Sequence, residues 1–423
     1  MKQSGVEWIG KIPEDWKVYR NKNAFICNKE IVGKNSNSTQ LLSLTTGGIK
    51  CKDINNAEGK LPESFDTYQY VKKNDVVMCL FDLDMSAVFS GISQYDGMIS
   101  PAYKVLSCQD RANPLFVHYW FSYIFDGRKF NHYAKNIRYT LNYDEFATLP
   151  ILLPPKETQQ RIATYLDKKC SKIEETIQNQ QQVIEKLKAY KQSLITEAVT
   201  GKVKIANGKA CGEYESYKDS GVEWIGKIPS EWEVKKLKFS SQIMRGLFSH
   251  RPRNDPDYYD GVHPFIQTGE VARAVKYITT YSQTLNELGF SVSREFPAGT
   301  VLLTIAANVG DVAILDFNAC FPDSVIGFYP KENVSKIFMF YVLKSMKEQF
   351  MRNAIISTQM NLNINIVKEE FIPLPSLAEQ KEIVKFLEKK SDYIDTAIEQ
   401  KQNLIEKLTE YKKSLIYECV TGK

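Results

Sequence analysis

Several features that mark membrane, exported or metal-binding proteins are missing from this sequence. The apolar run from Leu115 to Phe125 is too short to span a bilayer and contains a histidine. The N-terminus lacks the charged and then apolar pattern of an export signal, so we expect a cytoplasmic protein that makes no membrane contact. The eight cysteines include no CxxC pair and are expected to be reduced, mostly buried thiols. The four histidines show no metal-ligand spacing, which argues against a zinc site.

Strong charge is missing as well. The hydrophobic fraction of 43% and the charged fraction of 25% are those of an ordinary globular protein, which argues against a disordered chain or a fibre. A chain of 423 residues is long enough for two or more domains, each with its own core. The formal net charge of +5 permits nucleic-acid binding if the positive charge is concentrated on one face, but it does not require it.

What the sequence does contain is a tandem repeat. The stretch SGVEWIGKIP occurs from Ser4 to Pro13 and again from Ser220 to Pro229. Each repeat closes on a second match, IEKLKAYKQSLITEAVTGK before residue 203 and IEKLTEYKKSLIYECVTGK at the end of the sequence. Between these matching ends the two repeats diverge almost completely. Similar frames around dissimilar middles indicate two modules that do one kind of job on two different targets.

Each middle contains short β-rich runs separated by Gly, Asn and Asp turn signals, followed by helical segments. This pattern predicts two α+β globular domains. We place the first at residues 1–155 and the second at 218–375. Long helices are predicted over 156–202 and 376–423, with a polar linker at 203–217.

The two helices are predicted from runs without Pro or Gly in which apolar residues recur at heptad spacing. These residues are Leu166, Ile173, Leu187 and Leu194 in the first run and Leu387, Ile394, Leu408 and Leu415 in the second. One seam position is polar in both, Gln180 and Lys401, and can fix the register of pairing. Because the linker is short compared with a helix of this length, the helices can pair only in antiparallel orientation. The predicted architecture is two globular domains separated by a pair of long antiparallel coiled-coil helices, with internal pseudo-twofold repetition. A helix that packs on its own domain alone is the alternative.

The repeated stretch includes Gly-x-x-x-x-Gly-Lys, most of a phosphate-binding loop. Such a loop needs Ser or Thr after the lysine, a strand before it and a helix after it, whereas Ile12 and Ile228 follow the lysines here. We therefore interpret the stretch as a structural clasp whose Val, Trp and Ile side chains are apolar anchors. The second copy should dock on the C-terminal end of the first long helix, and the first copy on the end of the second.

No catalytic arrangement is evident in the sequence. The tetrapeptide NPLF, which starts at Asn113, faintly resembles the Asn-Pro-Pro-Tyr loop of amino-methyltransferases, but a helix N-cap at Asn113 with Pro114 in the first helical position explains it better. No glycine-rich cofactor fingerprint, Ser-His-Asp set, Cys-His pair or carboxylate pair accompanies it. We therefore expect a non-catalytic chain without a cofactor or metal of its own.

The frame motifs closely resemble the specificity subunits of type I restriction–modification systems. The resemblance rests on SGVEWIGKIP followed by a tryptophan, on LPPKETQQRIATYLDKK from Leu153 and LPSLAEQKEIVKFLEKK from Leu374, and on the two VTGK ends; it covers the whole chain. It implies that each variable domain is a target recognition domain reading one half of a bipartite double-stranded DNA sequence. The helical pair would then act as a ruler for the gap between the halves.

The resemblance also implies partners and their cofactors. Two modification subunits would bind S-adenosylmethionine and methylate adenine. Restriction subunits, which are motor nucleases, would use ATP and Mg²⁺. The chain itself would recognise DNA while these subunits do the chemistry.

Base edges are read by Arg, Lys, Asn, Gln, Ser and Thr side chains on loops. For any one of these residues, a solvated loop position is the alternative. The candidate DNA-binding residues are Thr45, Thr46, Arg138, Tyr139, Thr140 and Asn142 in the first domain, and Arg245, His250, Arg251, Arg253, Asn254, Thr358, Gln359, Asn361 and Asn363 in the second.

Two other functions compete with DNA recognition. A nucleotide hydrolase or methyltransferase would need activity from the isolated chain, and its motifs are broken here. A coiled-coil scaffold that joins two protein partners without touching DNA would explain the helices, but it gives no reason for two related domains with polar loops rich in Arg and Asn.

Overall fold

The computed structural model describes residues 1–53, 62–134, 139–356 and 360–423. The chain forms two compact units. Unit 1 comprises Met1–Gln181 together with Lys401–Lys423, and unit 2 comprises Gln182–Gln400. Of the sequence candidates, Arg138, Thr358 and Gln359 lie outside the described residues. Both units combine helices with strands, which confirms the predicted α+β class.

The strands of unit 1 are short, with two to five residues each. The strands are β1 (Lys2–Gln3), β2 (Lys11–Ile12), β3 (Lys17–Arg20), β4 (Phe25–Asn28), β5 (Leu42–Thr45), β6 (Gly48–Cys51), β7 (Gln69–Val71), β8 (Val76–Met78), β9 (Ser90–Ile92), β10 (Gly97–Ile99), β11 (Lys104–Cys108) and β12 (Pro150–Leu153). The α-helices are α1 (Pro114–Asp126), α2 (Tyr143–Thr148), the part of α3 (Lys156–Val199) up to Gln181 and the part of α10 (Leu377–Thr421) from Lys401. A four-stranded antiparallel sheet has the order β4-β11-β8-β9.

Unit 2 repeats this plan with more strands. They are β13 (Ile205–Ala206), β14 (Lys209–Ala210), β15 (Tyr217–Asp219), β16 (Lys227–Pro229), β17 (Glu233–Lys236), β18 (Ser241–Arg245), β19 (Tyr259–Pro264), β20 (Tyr277–Ile278), β21 (Thr284–Leu285), β22 (Glu295–Phe296), β23 (Val301–Thr304), β24 (Val312–Leu315), β25 (Ala319–Cys320), β26 (Val325–Pro330), β27 (Ile355–Ile356), β28 (Met360–Asn361) and β29 (Phe371–Leu374). The α-helices are the end of α3 from Gln182, α4 (Leu237–Ser240), α5 (Thr268–Arg273), α6 (Glu287–Ser291), α7 (Lys336–Ser345), α8 (Lys347–Asn353), α9 (Ile364–Glu369) and the part of α10 (Leu377–Thr421) up to Gln400. The main sheet has the order β18-β26-β23-β24-β20, and only the β20–β24 pair is parallel.

In each unit the central strand is buried on both faces, so its sequence is continuously apolar. In β8, Val76 and Met78 lie in the core that includes α1, whereas Val77 lies in a second core between strands. In β23, Val301 and Leu303 pack with α7, and Leu302 faces a second core in the same way. The two units are therefore the same sandwich of a helix, a sheet and further strands.

A buried glutamine in the first turn of α3 binds three backbone groups from two segments of the chain. Gln159 is 1% exposed. Its Oε1 accepts a hydrogen bond from the backbone N–H of Asn113, and its Nε2 donates to the carbonyls of Arg111 and Pro154, each at 2.8 Å. Asn113 in turn caps α1, with Pro114 in the first helical position, as the sequence predicted. The amide thus anchors the start of α1 to the start of α3.

Gln380 does the same in unit 2, where it is fully buried. Its Oε1 accepts from the N–H of Ser335, the N-cap of α7, at 2.8 Å. Its Nε2 donates to the carbonyls of Asn333 at 2.9 Å and Pro375 at 3.0 Å. A side-chain amide has one acceptor and two donors that suit this task, which is the physical reason for glutamine in both frames.

The two longest helices of the described residues are α3 and α10, and within each unit a part of one packs on a part of the other. In unit 1, Lys412 forms an ion pair with Glu174 at 2.5 Å, and Lys401 donates to Oε1 of Gln180 at 3.1 Å. From the first contact to the second, the residue number rises along α3 and falls along α10, so these segments are antiparallel. The two polar seam residues singled out in the sequence meet each other. In unit 2, Lys191 and Asp395 form the corresponding contact at 2.6 Å.

The repeated stretch docks where the sequence predicted. In unit 2, Gly201 follows α3 with φ of 71°, and a Cβ atom there would lie 2.4 Å from Cδ of Pro229. Trp232 covers the same glycine and is 1% exposed. In unit 1, Gly422 has φ of 73°, with Pro13 at 2.6 Å and Trp16 at 3.3 Å from its ideal Cβ. Both glycines have a left-handed backbone conformation and close Pro and Trp neighbours, so only glycine fits at the end of either long helix.

The expectation of mostly buried cysteines was wrong in part. All eight are free, but only Cys79, Cys170 and Cys320 are buried, while Cys51 and Cys211 are exposed. Burial raises the pKa of the Cys170 thiol to about 11. No helix in the described part of the chain combines the length and apolar character needed to cross a membrane.

Candidate nucleic-acid interface

In unit 2 the pairing of β18 with β26 sets up the candidate site. The register places Arg245, the last residue of β18, opposite Ile326. The loop that follows β18 carries Arg251 and Arg253, and the turn that precedes β26 carries Asp323. That turn is closed by a hydrogen bond from the N–H of Val325 to the carbonyl of Pro322 at 3.0 Å. The two edges of one strand pair thus bring residues distant in the sequence together.

Three arginines converge on Asp323. Nη2 of Arg253 donates to its Oδ1, and Nη2 of Arg251 lies 3.5 Å from its Oδ2. The backbone carbonyl of Asp323 accepts from Nε of Arg245 at 2.5 Å. We call these four residues the arginine cluster. All three guanidinium groups are solvent-exposed, so the cluster presents positive charge to solvent around a single carboxylate.

A groove of about 430 Å³ opens beside the arginine cluster. One wall consists of Arg245, Arg253, Asp323 and Ser324, and the other includes Ala306, Asn361 and Asn363. The second wall is held in place by a hydrogen bond from the N–H of Leu362 to the carbonyl of Ile305 at 2.7 Å. The groove therefore joins two segments that the sequence had offered as separate candidates.

The remaining candidates of this loop have other surroundings. His250 stacks on Tyr258 with ring centroids 3.8 Å apart, and its Nε2 lies 3.0 Å from Oδ2 of Asp255. These contacts fix the conformation of the loop. Asn254 is exposed at its tip.

In unit 1, Thr45 and Thr46 lie in the turn between β5 and β6. Oγ1 of Thr45 donates to the carbonyl of Gly48 at 2.8 Å and accepts from the N–H of Gly47 at 3.2 Å, so it stabilises its own turn. The turn borders a groove of about 690 Å³ that extends to His118 on α1 and Lys412 on α10. Burial, reinforced by the Lys412 ammonium, lowers the pKa of His118, which favours the neutral imidazole.

The other candidates of unit 1 follow one another after the residues left undescribed. Tyr139 has φ of 46° and is 38% exposed. Oγ1 of Thr140 accepts from the N–H of Asp82 at 3.3 Å. Asn142 caps α2: its Oδ1 accepts from the N–H of Glu145 at 2.8 Å in a capping box. Asn142 thus has a structural function whose signal, Asn followed three residues later by Glu, was present in the sequence.

Asn363 is the counterpart of Asn142 in unit 2. Its Oδ1 accepts from the N–H of Asn365 at 2.8 Å at the start of α9. It also lines the groove. Unit 2 therefore brings Arg245, Arg253, Asn361 and Asn363 together, whereas the described candidates of unit 1 are divided between the β5–β6 turn and the segment before α2.

Sequence reasoning missed Asp323, Ser324 and Arg294. Nη1 of Arg294 donates to the carbonyl of Arg245 at 3.1 Å, so it binds the backbone of the arginine cluster. No local pattern marks these residues, because Asp323 stands in an ordinary turn before a strand. Only the strand pairing places it beside the arginines.

The chemistry of the cluster and groove suits reading of base edges. Guanidinium forks donate paired hydrogen bonds to guanine O6 and N7, and side-chain amides match adenine N6 and N7. Among the described residues, no group of three or more His, Cys, Asp or Glu side chains could hold a metal ion. The groove is polar and open, unlike the largely apolar pockets that enclose small cofactors.

The sequence is similar to a known protein family and to specificity subunits of type I restriction enzymes. The family model described as "Type I restriction modification DNA specificity domain" matches residues 229–408. A putative type I restriction enzyme MjaX specificity subunit from Methanocaldococcus jannaschii is 25% identical, over 98% of this chain and 95% of the relative. The MjaIX specificity subunit of the same organism is 32% identical, over 42% of this chain and 41% of its own length.

Solved structures share the fold. A chain from a study of complex assembly and conformational transition of the type I R-M system has a TM-score of 0.72 at 14% identity, covering 97% of this chain and 98% of its own. The HsdS subunit from Thermoanaerobacter tengcongensis has a TM-score of 0.51 at 16% identity, with both chains covered completely.

Proposed function

We propose that the chain is the DNA-recognising subunit of a type I restriction–modification system, because the family model of type I DNA specificity domains matches residues 229–408 and a specificity subunit is 25% identical over 98% of the chain. Each unit reads one half-site of a bipartite double-stranded target. The observation that carries the proposal is the groove of unit 2, where the exposed arginine cluster faces Asn361 and Asn363. Such a set of donors and amides suits the major groove of DNA.

The repeated architecture supports a target of two halves. Each unit has its own α+β body, its own glutamine anchor and its own clasp, so each forms a complete recognition module. The surfaces that would face bases differ between the modules, whereas the glutamine anchors and clasps that stabilise them are alike. Two different half-sites follow from two different surfaces on one frame.

The long helices have a role of their own in the proposal. We infer that α3 and α10 form an antiparallel coiled-coil pair that sets the number of unread base pairs between the half-sites. The antiparallel contacts of Glu174 with Lys412 and of Gln180 with Lys401 support this pairing. The domain limits at 1–155 and 218–375 belong to the same proposal.

The chemistry would reside on partner subunits. Two modification subunits would methylate adenine with S-adenosylmethionine, and restriction subunits would use ATP and Mg²⁺ to move along and cut unmethylated DNA. This chain needs no cofactor of its own for recognition. It directs the others to the target and is not itself an enzyme.

The decisive experiment maps the methylated adenines of host DNA after the chain is co-expressed with its modification subunit. We expect a single bipartite motif with a fixed gap. Replacing residues 1–202 by those of a relative with another target should then change one half of the motif and leave the other half and the complex intact.

Two results would overturn the proposal. Methylation without any motif would mean that the chain does not select sequence. A stable complex that methylates nothing would favour the alternative of a coiled-coil scaffold that joins two protein partners without contacting DNA.

A further inference from the structure

We propose that Asp323 is a positioning residue that aims Arg245 and Arg253 at a guanine, so that the half-site read by unit 2 contains a G·C pair at this position. The inference rests on the proposed function and names the base that this surface takes. It starts from the different hydrogen bonding of the three arginines around one carboxylate.

Arg251 is the arginine that braces the loop. Its Nη1 donates to the carbonyls of Phe248 at 2.6 Å and His250 at 2.7 Å, and its Nη2 faces Asp323. Both terminal nitrogens therefore have protein partners. Such an arginine shapes the loop and has little donor capacity left for a base.

Arg245 is held in the opposite way. Its Nε donates to the carbonyl of Asp323, and in the described part of the chain Nη1 and Nη2 have no hydrogen-bond partner. The guanidinium is therefore anchored at its inner nitrogen, and its two terminal nitrogens remain available as a fork on an exposed residue that lines the groove. A fork of this kind matches the two acceptors O6 and N7 of guanine, and no other base offers two acceptors side by side in the major groove.

Arg253 is held at one terminal nitrogen only, by Oδ1 of Asp323. It lines the groove together with Arg245, and the rest of its guanidinium remains available. Asp323 therefore fixes both reading arginines from one side, one through its backbone and one through its carboxylate.

Asp323 itself is rigidly placed. The turn closed by Pro322 and Val325 leads directly into β26, and the N–H of Ile305 donates to the carbonyl of Ser324 at 2.9 Å. The turn is thus tied to the segment that follows the central strand of unit 2. Rigid support of this kind reduces the entropy lost when the arginines bind a base, and it enforces the geometry on which discrimination depends.

The loss of the carboxylate has a specific consequence. Without it, three guanidinium groups would repel one another, and Arg253 would move freely. Mobile arginines still bind phosphates, which carry no sequence information, but they no longer select one base edge. Base discrimination should therefore fall while DNA binding persists.

The test uses the complex with the modification subunit and reads methylation at every variant of the wild-type motif. Asp323→Asn keeps the backbone carbonyl that binds Arg245 but removes the negative charge that holds Arg253 and offsets the three guanidinium groups. It should lower the preference for one G·C pair in one half-site by roughly 10- to 100-fold, the range of a specific base contact. The other half-site should not change. Arg245→Lys should relax the same position, because lysine keeps the charge and lacks the fork.

The matched control is Glu369→Gln. Glu369 also joins two cations in unit 2, Lys236 at 2.7 Å and Lys238 at 2.5 Å, but it does not line the groove. This variant should keep the full motif. If Asp323→Asn fails to fold, which a melting curve would show, Arg253→Lys replaces it, because this variant weakens the contact with the Asp323 carboxylate and keeps the charge. A motif that both Arg253→Lys and Arg245→Lys leave unchanged would then overturn the inference.

The outcomes separate this inference from the proposed function. A wild-type complex without a motif would refute the function itself. A clear wild-type motif that both variants leave unchanged, or a relaxed position that is an A·T pair, would overturn the inference and leave the function standing.

Discussion

At matching positions of the two sheets, unit 1 and unit 2 carry different chemistry. Arg245 ends β18 opposite Ile326, and Asn28 ends β4 opposite Val105 in the same register. Asn28 donates from Nδ2 to Oγ of Ser107 at 2.7 Å, so it is engaged within its own sheet, whereas Arg245 presents a free fork. The difference shows that one scaffold position can be either structural or exposed to a ligand.

The turn before the next strand shows the same contrast. In unit 2 it reads Pro322 and Asp323, and in unit 1 it reads Pro101 and Ala102. Both segments contain an i to i+3 hydrogen bond, from the N–H of Val325 to the carbonyl of Pro322 in unit 2 and, one position earlier relative to the strand, from the N–H of Tyr103 to the carbonyl of Ser100 in unit 1. Unit 1 therefore has the turn without the carboxylate, and it cannot organise arginines there. Under the proposed function, the half-site of unit 1 would be read by other side chains.

The largest expected effect is on the free energy of unfolding, and it tests whether the clasp stabilises both units equally. Trp232→Ala and Trp16→Ala should each destabilise their own unit by about 3–5 kcal/mol, because each removes a buried aromatic ring from the clasp. Denaturant unfolding followed by protease mapping measures the loss unit by unit. Tyr393→Ala is the control, since Tyr393 is 77% exposed and its loss should change stability by less than about 0.5 kcal/mol. Unequal losses at the two tryptophans would break the equivalence of the clasps.

The second effect concerns the glutamine anchors. Gln159→Ala and Gln380→Ala each leave one backbone N–H and two carbonyls without their partner. We expect a cost of roughly 2–4 kcal/mol in the unit concerned. The same unfolding assay applies, with the exposed Gln400→Ala as control. A negligible effect at either site would mean that water replaces the amide there.

The smallest expected effect is on the pH dependence of stability, and it concerns a lysine in unit 2 that has a serine as its counterpart in unit 1. Lys344 occupies the position on α7 that Ser122 occupies on α1, counted from the N-caps. Burial, reinforced by the neighbouring Lys191 ammonium and only partly offset by the carboxylates of Asp395 and Asp311, lowers the pKa of Lys344 to about 8. Below pH 8 the folded state must therefore hold a desolvated charge, and this penalty disappears as the pH rises from about 8 towards the ordinary value of 10.5.

Replacing this side chain by one of similar length without charge tests the penalty. Lys344→Met should stabilise unit 2 by on the order of 1–2 kcal/mol at pH 7, after allowance for solvent screening. The gain should shrink between pH 8 and 10.5. Denaturant midpoints measured across this range provide the readout. A gain that is independent of pH would assign the effect to packing instead of charge.

The sequence allowed the frame to be predicted because its determinants are local. The α3 and α10 helices follow from heptad spacing, the cap at Asn113 from an Asn-Pro pair, and the docking of Trp16 and Trp232 from the order of the repeats. Each of these signals lies within a few residues of the structure it specifies.

The candidate site could be predicted only in part, because its geometry depends on strand pairing over long distances in the chain. Arg245 and Arg253 were found through residue type alone, but Asp323, which fixes them, lies in another loop without a pattern of its own. In unit 1, DNA contact by Thr45 stays a prediction, and the structure adds that its hydroxyl group stabilises its own turn, which the sequence did not indicate. Side-chain satisfaction of this kind is visible only in three dimensions.

The division of the chain has a consequence for biosynthesis. Unit 2 is one continuous stretch, whereas unit 1 needs residues from both sides of it. As the ribosome releases the chain, residues 1–181 emerge first, but the segment that buries Ile416 and Val420 against Trp16 emerges last. Unit 2 can therefore complete its core while unit 1 still lacks residues 401–423. The apolar surface that waits for residues 401–423 is exposed meanwhile, and a nascent chain stalled at residue 400 would carry one finished module and one open one.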